Sequence, residues 1–398
     1  MHKSVTKHFP IYFTHTIRKE LGELYAAASI ADLAIAMVLF FEPIYFVTVL
    51  KWSVTQTLLF FAGVYFFYIL LVPLGALAAS KKGYGHSLLY SIPFQIGYWL
   101  MLFVLPGNMV WAPLAALFFA LQKSFFWPAF HADLARYSDK DQRARESSVA
   151  WSLIQLTFII GPFVGGFISN NFGVRALLLV SSAVYFTMFI PVFVGERKSE
   201  REAYRFKDTL SYYKRFPKEA LAHMGFGEEL ILYVAWPVFI FTLVPNFFNF
   251  GILIAATTLL ATLVMLYSGK LSDRGEGRLV LRLGVVFSAL AWLGRPLIRG
   301  LVSVASIDAI LRIGQSLLYI PITAYFYNKA NQEKILAYAV FFEQTLSIGK
   351  LSAALLGALL YEMTGSFGAI FALAAVFSCL FILLPRRAQK LLSGNILK

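Results

Sequence analysis

Charge is scarce in this 398-residue sequence: Asp, Glu, Lys and Arg together make up 14%, against roughly a quarter in soluble domains. So little polar surface cannot clothe a soluble globule, and the 59% of apolar residues need a solvent other than water. Cysteine is nearly absent. Cys379 stands alone, which excludes an internal disulfide framework. No G-K-[ST] triplet occurs, so the phosphate loop of an ATP-driven pump is missing. The six histidines, at positions 2, 8, 15, 86, 131 and 223, fall in segments between the apolar runs. None pairs at metal-ligand spacing within a helix. Neither a metal nor a cofactor is expected, and an enzyme is not. Acidic residues are also few, 21 against 35 Lys and Arg, for a net charge of +14. A nucleic-acid partner does not follow, because the basic residues sit in short segments between long apolar runs, as they do in membrane proteins.

A helix needs about 20 apolar residues to cross the hydrocarbon core. On that measure the runs predict helices near Ala26–Leu50, Val54–Ala79, Ser87–Leu105, Met109–Phe130, Ser148–Ser169 and Val174–Gly195. Six more follow near Phe226–Phe248, Gly251–Ser268, Leu279–Ile298, Leu301–Tyr327, Ile335–Leu359 and Gly365–Leu384. The first run is too long for a signal peptide and lacks a small-residue cleavage site. Before it, Ile17, Leu21, Leu24 and Ala28 follow helical spacing, either as a short interfacial helix or as an extension of helix 1. The fold class is therefore an all-α integral membrane protein of twelve transmembrane helices. With both termini in the cytoplasm, the cytoplasmic segments hold most of the Lys and Arg, including Lys81, Lys82, Arg143, Arg145, Arg386 and Arg387. The outer loops hold only Lys51, Arg175 and Arg299. This is the bias that sets orientation, and it predicts a multi-pass protein of the cytoplasmic membrane in contact with its lipids.

The two halves repeat. Pro43 matches Pro237, Gly75 matches Gly269, Gly83 matches Gly277, Gln122 matches Gln315, Pro128 matches Pro321, Gly165 matches Gly357 and Gly173 matches Gly365, all at offsets of 192–194 positions. Colinear Gly and Pro matches of this kind indicate a duplicated unit. The chain divides into an N-terminal six-helix bundle (1–195), a cytoplasmic linker loop (196–225) and a C-terminal six-helix bundle (226–398). Two parallel repeats about an axis along the membrane normal form a layout in which one half rocks against the other around a midplane site.

Three motifs carry a resemblance. Gly269-Lys270-Leu271-Ser272-Asp273-Arg274, followed by Gly277 and Arg278, closely resembles the loop signature of the major facilitator superfamily. The resemblance implies a cytoplasmic latch built on Gly269, Asp273, Arg274 and Arg278. The first-half copy is degraded, with Ala79 where the acid belongs. Helix 5 carries Gly161-Pro162-Phe163-Val164-Gly165-Gly166, similar to the G-P-x-x-G-G motif frequent among the proton-coupled drug exporters of that superfamily. The family's preceding glycine is Thr157 here. A glycine-rich packing face with no preference for export explains the same residues. Helix 10 carries Arg312-Ile313-Gly314-Gln315, which resembles a motif the family places on helix 4 and ties to proton coupling. In this chain the helix 4 position is Phe119.

Charges inside the runs are the candidate site. One at a helix centre costs about 2.5–3.5 kcal/mol on insertion scales and needs a partner or water. Asp32 and Glu42 lie on helix 1, Lys123 on helix 4, Arg295 on helix 9, Asp308 and Arg312 on helix 10, and Glu343 and Lys350 on helix 11. Asp308 and Arg312 have the acid-first i,i+4 spacing of a same-helix pair. Lys123 and Arg295, nearer helix ends, are candidates for snorkelling. A substrate and ion cavity lined by Asp32, Glu42, Arg312, Glu343 and Lys350 is expected, with mutual neutralisation as the structural alternative. The expected activity is secondary active transport of a small-molecule substrate by alternating access in a monomer. Proton-coupled efflux of an amphipathic compound leads, and uptake of a sugar, amino acid or other metabolite is the alternative. A channel and a non-transporting receptor are the remaining classes.

Overall fold

The computed structural model describes residues 19–137, 143–194, 202–271 and 277–385. Its described secondary structure is helical throughout. The first half of the chain supplies α1 (Lys19–Leu39), α2 (Glu42–Thr48), α3 (Val54–Lys82), α4 (Tyr84–Val104), α5 (Trp111–Tyr137), α6 (Arg143–Phe172), α7 (Val174–Phe186) and α8 (Phe189–Val194). Then come α9 (Phe206–Arg215) and α10 (Pro217–His223). The second half supplies α11 (Gly227–Tyr233), α12 (Ala235–Leu243), α13 (Phe247–Leu271), α14 (Gly277–Gly294), α15 (Leu301–Ala330), α16 (Ile335–Thr364) and α17 (Phe367–Leu380). Among the described residues nine helical spans are long and apolar enough to cross a membrane, and Phe247–Leu263 and Phe367–Leu383 are shorter apolar stretches. The expected twelve spans are reached only by counting α5, α13 and α17 with the nine.

Proline sets the two breaks that matter for the site. Pro43 cannot donate to the carbonyl four residues back, and α1 stops at that residue, Leu39. Pro237 acts in the same way, and α11 stops at Tyr233. The missing donor and the ring clash end a regular helix at i−4, so the repeat-related prolines place an irregular step inside each half. Two other repeat-related residues also act alike. Gly173 and Gly365 both have positive φ, 82° and 63°. Each closes one helix before the next begins, a position that favours glycine.

Within the first half α3 and α4 pack on α5, and α1 packs on α6 and α7. In the second half α14 packs on α15 and α17, and α11 packs on α16. The halves meet where α3 and α5 lie on α16, where α6 lies on α13, and where α12 lies on α2. Gly75 lets α3 approach α5 so closely that a Cβ there would fall 1.7 Å from the Ser124 carbonyl oxygen.

The linker differs from the expected loop. Residues 206–215 and 217–223 are helical, and α10 runs through a short 3₁₀ turn into α11 as one apolar span, Pro217–Leu243. Apolar residues of α9 and α10 dock on the start of α16: the rings of Tyr212 and Phe216 meet Tyr338 and Phe341. A surface that gains this much by burial folds rather than looping. At the chain start α1 begins at Lys19 and continues into the first span, the simple extension of helix 1; Ile17 lies outside the described residues.

Candidate functional site

Glu343 of α16 is 4% exposed, and among the described residues its hydrogen-bond partners lie across the interface between the halves. Its Oε2 accepts from the Tyr68 hydroxyl of α3 at 2.9 Å. Its Oε1 lies 3.1 Å from His131 Nε2 of α5. The other ring nitrogen, Nδ1, lies 3.0 Å from the Tyr327 hydroxyl of α15. An ionised carboxylate only accepts, so Nε2 carries hydrogen and a neutral imidazole leaves Nδ1 free to accept from Tyr327. Four side chains from four helices thus form a titratable junction near the end where α5 and α15 finish and α16 starts.

Deeper in, Lys350 pairs with Glu229 of α11, not with Glu343 two turns away on its own helix. The Lys350 ammonium also lies 5.4 Å from the centroid of the Tyr65 ring of α3. Lys123, near the middle of α5, lies 4.5 Å over the Phe119 ring and 5.9 Å over the same Tyr65 ring. It is not snorkelling to a helix end. Glu42 accepts from the Tyr98 hydroxyl of α4, and the Tyr98 ring stacks on Phe119 at 4.4 Å. The break before Pro43 is what holds Glu42 at the first turn of α2, facing α4.

Arg312 sits apart from this centre in a cluster where it shares the Asp308 carboxylate with Arg295. Its Nε donates to Asp308 Oδ2 at 2.7 Å, the same-helix pair that the spacing predicts. Asp308 also accepts from Trp236 Nε1 at 2.7 Å and from Thr257 at 2.6 Å. Arg295 does not snorkel. It is fully buried, with its guanidinium 3.6 Å from both the Trp236 and the Trp292 rings and 4.0 Å from Asp308. A buried pair of this kind stabilises little by itself, but removing one partner strands a charge. Asp32 is also separate: it is 5% exposed and has no ion-pair or hydrogen-bond partner among the described residues. Nearby, in the interior of the first half, Gln122 donates to the Tyr185 hydroxyl at 3.0 Å. Its repeat mate Gln315 lies beside the buried Glu228, which also accepts from Trp292 Nε1 at 2.9 Å.

The helix 5 motif is a place of close backbone approach. A Cβ on Gly161 would fall 2.6 Å from the Ala36 Cβ, and one on Gly165 would fall 2.1 Å from the Met37 carbonyl oxygen of α1. One on Gly166 would fall 2.7 Å from the Phe247 carbonyl oxygen, and one on Gly251 would fall 2.3 Å from that of Pro162. Gly161 and Gly165 therefore seat α6 on α1, while Pro162 and Gly166 seat it on α13 of the other half. Of the latch residues, Asp273 and Arg274 lie outside the described residues, as does the side-chain environment of Gly269. Arg278 opens α14 and is half-buried.

The expected cavity set is thus partly brought together. Glu343 and Lys350 face the interface between the halves, whereas Glu42 bonds to Tyr98 within the first half, Arg312 belongs to the Asp308 cluster and Asp32 lies in the interior of the first half. Sequence reasoning missed His131, Tyr68, Tyr65, Glu228 and Glu229. It placed His131 beyond helix 4, yet Lys123, Trp127 and His131 recur every fourth residue and so share one face of a helix that runs on to Tyr137. It placed Glu228 and Glu229 at a helix boundary. The span begins at Pro217, which carries both acids inside.

The family model described as Major Facilitator Superfamily matches residues 24–248. No curated protein matches the chain. Among solved structures, a crystal structure of a mutant of the nucleoside transporter NupG is similar with a TM-score of 0.69 and 12% identity, covering 91% of this chain and 98% of that one. At that identity the likeness concerns the fold alone.

Proposed function

The chain belongs to the major facilitator superfamily, and from that premise we propose a proton-coupled exporter of an amphipathic small molecule. It works by alternating access between the halves 1–195 and 226–398, with both termini in the cytoplasm. The Lys and Arg bias of the loops supports the orientation. The observation that carries the coupling is Glu343, a buried carboxylate whose hydrogen bonds go to Tyr68 and His131 of the opposite half. Any rocking of the halves must break those bonds. Protonating Glu343 removes the charge that Tyr68 and His131 solvate, so the proton and the opening of this end are thermodynamically linked. The close glycine seat of α6 on α1 and α13 supports a pivot at the opposite end.

The test uses everted membrane vesicles carrying the overproduced protein, acidified inside, with fluorescent amphiphiles of each charge sign outside. Concentrative accumulation of one probe, lost with a protonophore and lost in a well-folded Glu343→Gln variant, is the expected result. Equilibration without concentration would indicate a channel. Accumulation only in right-side-out vesicles would establish uptake in place of export. Glu343→Gln transporting with an unchanged pH profile would overturn the assigned coupling.

A further inference from the structure

Lys123 differs from three other cations of the interior. Lys350 has Glu229, Arg312 has Asp308, and Arg295 shares Asp308 from 4.0 Å. Lys123 has no carboxylate within ion-pair distance among the described residues and only ring faces beside it, Phe119 at 4.5 Å and Tyr65 at 5.9 Å. The acids near it are each already solvated: Glu42 by Tyr98, Glu343 by Tyr68 and His131, and Glu229 by Lys350. Lys123 nevertheless keeps accessible surface between two buried neighbours, Gln122 and Ser124, midway along a helix packed against α3, α4 and α16. An ammonium at mid-depth without a counter-charge is costly unless it faces water or a ligand. The Lys350 ammonium lies 5.4 Å from the same Tyr65 ring, so two cations contributed by opposite halves lie near one ring.

We propose that Lys123, with Tyr65 and Lys350, forms the binding site for the anionic group of the transported compound, a carboxylate carried on an aromatic or otherwise apolar body. This rests on the transporter reading and names its substrate class. The anion supplies the charge that Lys123 lacks, and the apolar body lies against Phe119, Tyr65 and the partly buried Tyr233. A cationic compound meets two ammoniums at the ring that would otherwise attract it, and like charges across a site are rejected. Because Lys123 and Lys350 belong to opposite halves, a bound anion also bridges the surfaces that rocking separates.

The experiment measures thermal unfolding of the purified full-length protein in non-ionic detergent with three probes that share one ring system: naphthalene-1-acetate, its primary amide, and 2-(1-naphthyl)ethylamine. Only the carboxylate is expected to raise the midpoint, by about 3 °C at roughly 100 times its Kd. The rise should persist in Lys123→Arg, and binding should weaken about tenfold or more in Lys123→Met. An equal rise with the amide or the amine overturns the proposal, as does no rise with any probe or full binding in Lys123→Met. The three-probe comparison on the unmodified protein decides even where a variant fails to purify. Binding needs no gradient, so the two readings fail separately. Carboxylate binding without accumulation in vesicles sinks coupled transport and leaves the site, whereas accumulation of another probe without carboxylate binding sinks only the site.

Discussion

The two ends of the interface between the halves are built from opposite chemistry. Where α6 meets α13, backbone touches backbone through Pro162, Gly166 and Gly251, the rings of Phe41 and Phe250 meet edge to face at 5.5 Å, and Asn246 donates to Asn170 at 2.9 Å. Where α3 and α5 meet α15 and α16, the contacts come from Tyr68, His131, Tyr327 and Glu343. Backbone contact does not respond to a proton, and its attraction fades within about an ångström of separation. The hydrogen bonds of a carboxylate–imidazole–phenol junction change when a proton is added or removed. On the transporter reading the first end serves as the pivot and the second as the switch, and substitutions at the two ends should behave differently.

The largest effect is expected at the glycine end. Gly251→Leu forces a side chain into the Pro162 carbonyl, which cannot rotate away. The cost should approach about 3 kcal/mol, the upper range for overpacking, and should be the same at every pH. Thermal unfolding of the purified variant measures it. A wild-type midpoint would erase the contrast, because the two helices would then not need to be so close. At the other end the effect should be smaller and cooperative. Tyr68→Phe removes one hydrogen bond to a buried carboxylate, about 1.5–3 kcal/mol. In a double-mutant cycle with Glu343→Gln the two losses should couple by about 1 kcal/mol. Strict additivity would mean that the four side chains do not act as one junction.

The smallest effect belongs to the surface tether that brings the linker to the switch end. Lys334 donates to Asp208 at 2.8 Å. That bond, aided by Arg205, holds the Asp208 carboxyl below the usual carboxylate range. A depressed folded value gives stability that is present above the ordinary value of about 3.9 and is lost as pH falls through the depressed one. Asp208→Asn should therefore cost less than about 1 kcal/mol. The gap from wild type should stay level between neutral pH and pH 5 and close only below about pH 4. A gap that opened between pH 5 and 8 would trace the pH response to another group.

Much of this molecule was legible without coordinates. Long apolar runs with few charges can satisfy their backbone only as helices in a membrane, so the spans and the all-helical class follow from composition and length. The repeat-related Pro43 and Pro237 were legible as a matched pair, whereas the breaks they impose inside runs read as continuous helices came from the structure. The Asp308–Arg312 pair was readable because i,i+4 geometry belongs to one helix. What the sequence alone determined stops at such short-range relations. Tertiary packing decided that Glu343 bonds to Tyr68 and His131 and Lys350 to Glu229, although Glu343 and Lys350 share a helix face. It decided that Arg295 stacks between two tryptophans and that Lys123 keeps no counter-ion among the described residues. Each outcome depends on which helices lie side chain to side chain across 60 to more than 200 positions of sequence. A buried charge takes whichever partner lies within a few ångströms, because desolvation makes distant ones too weak to compete.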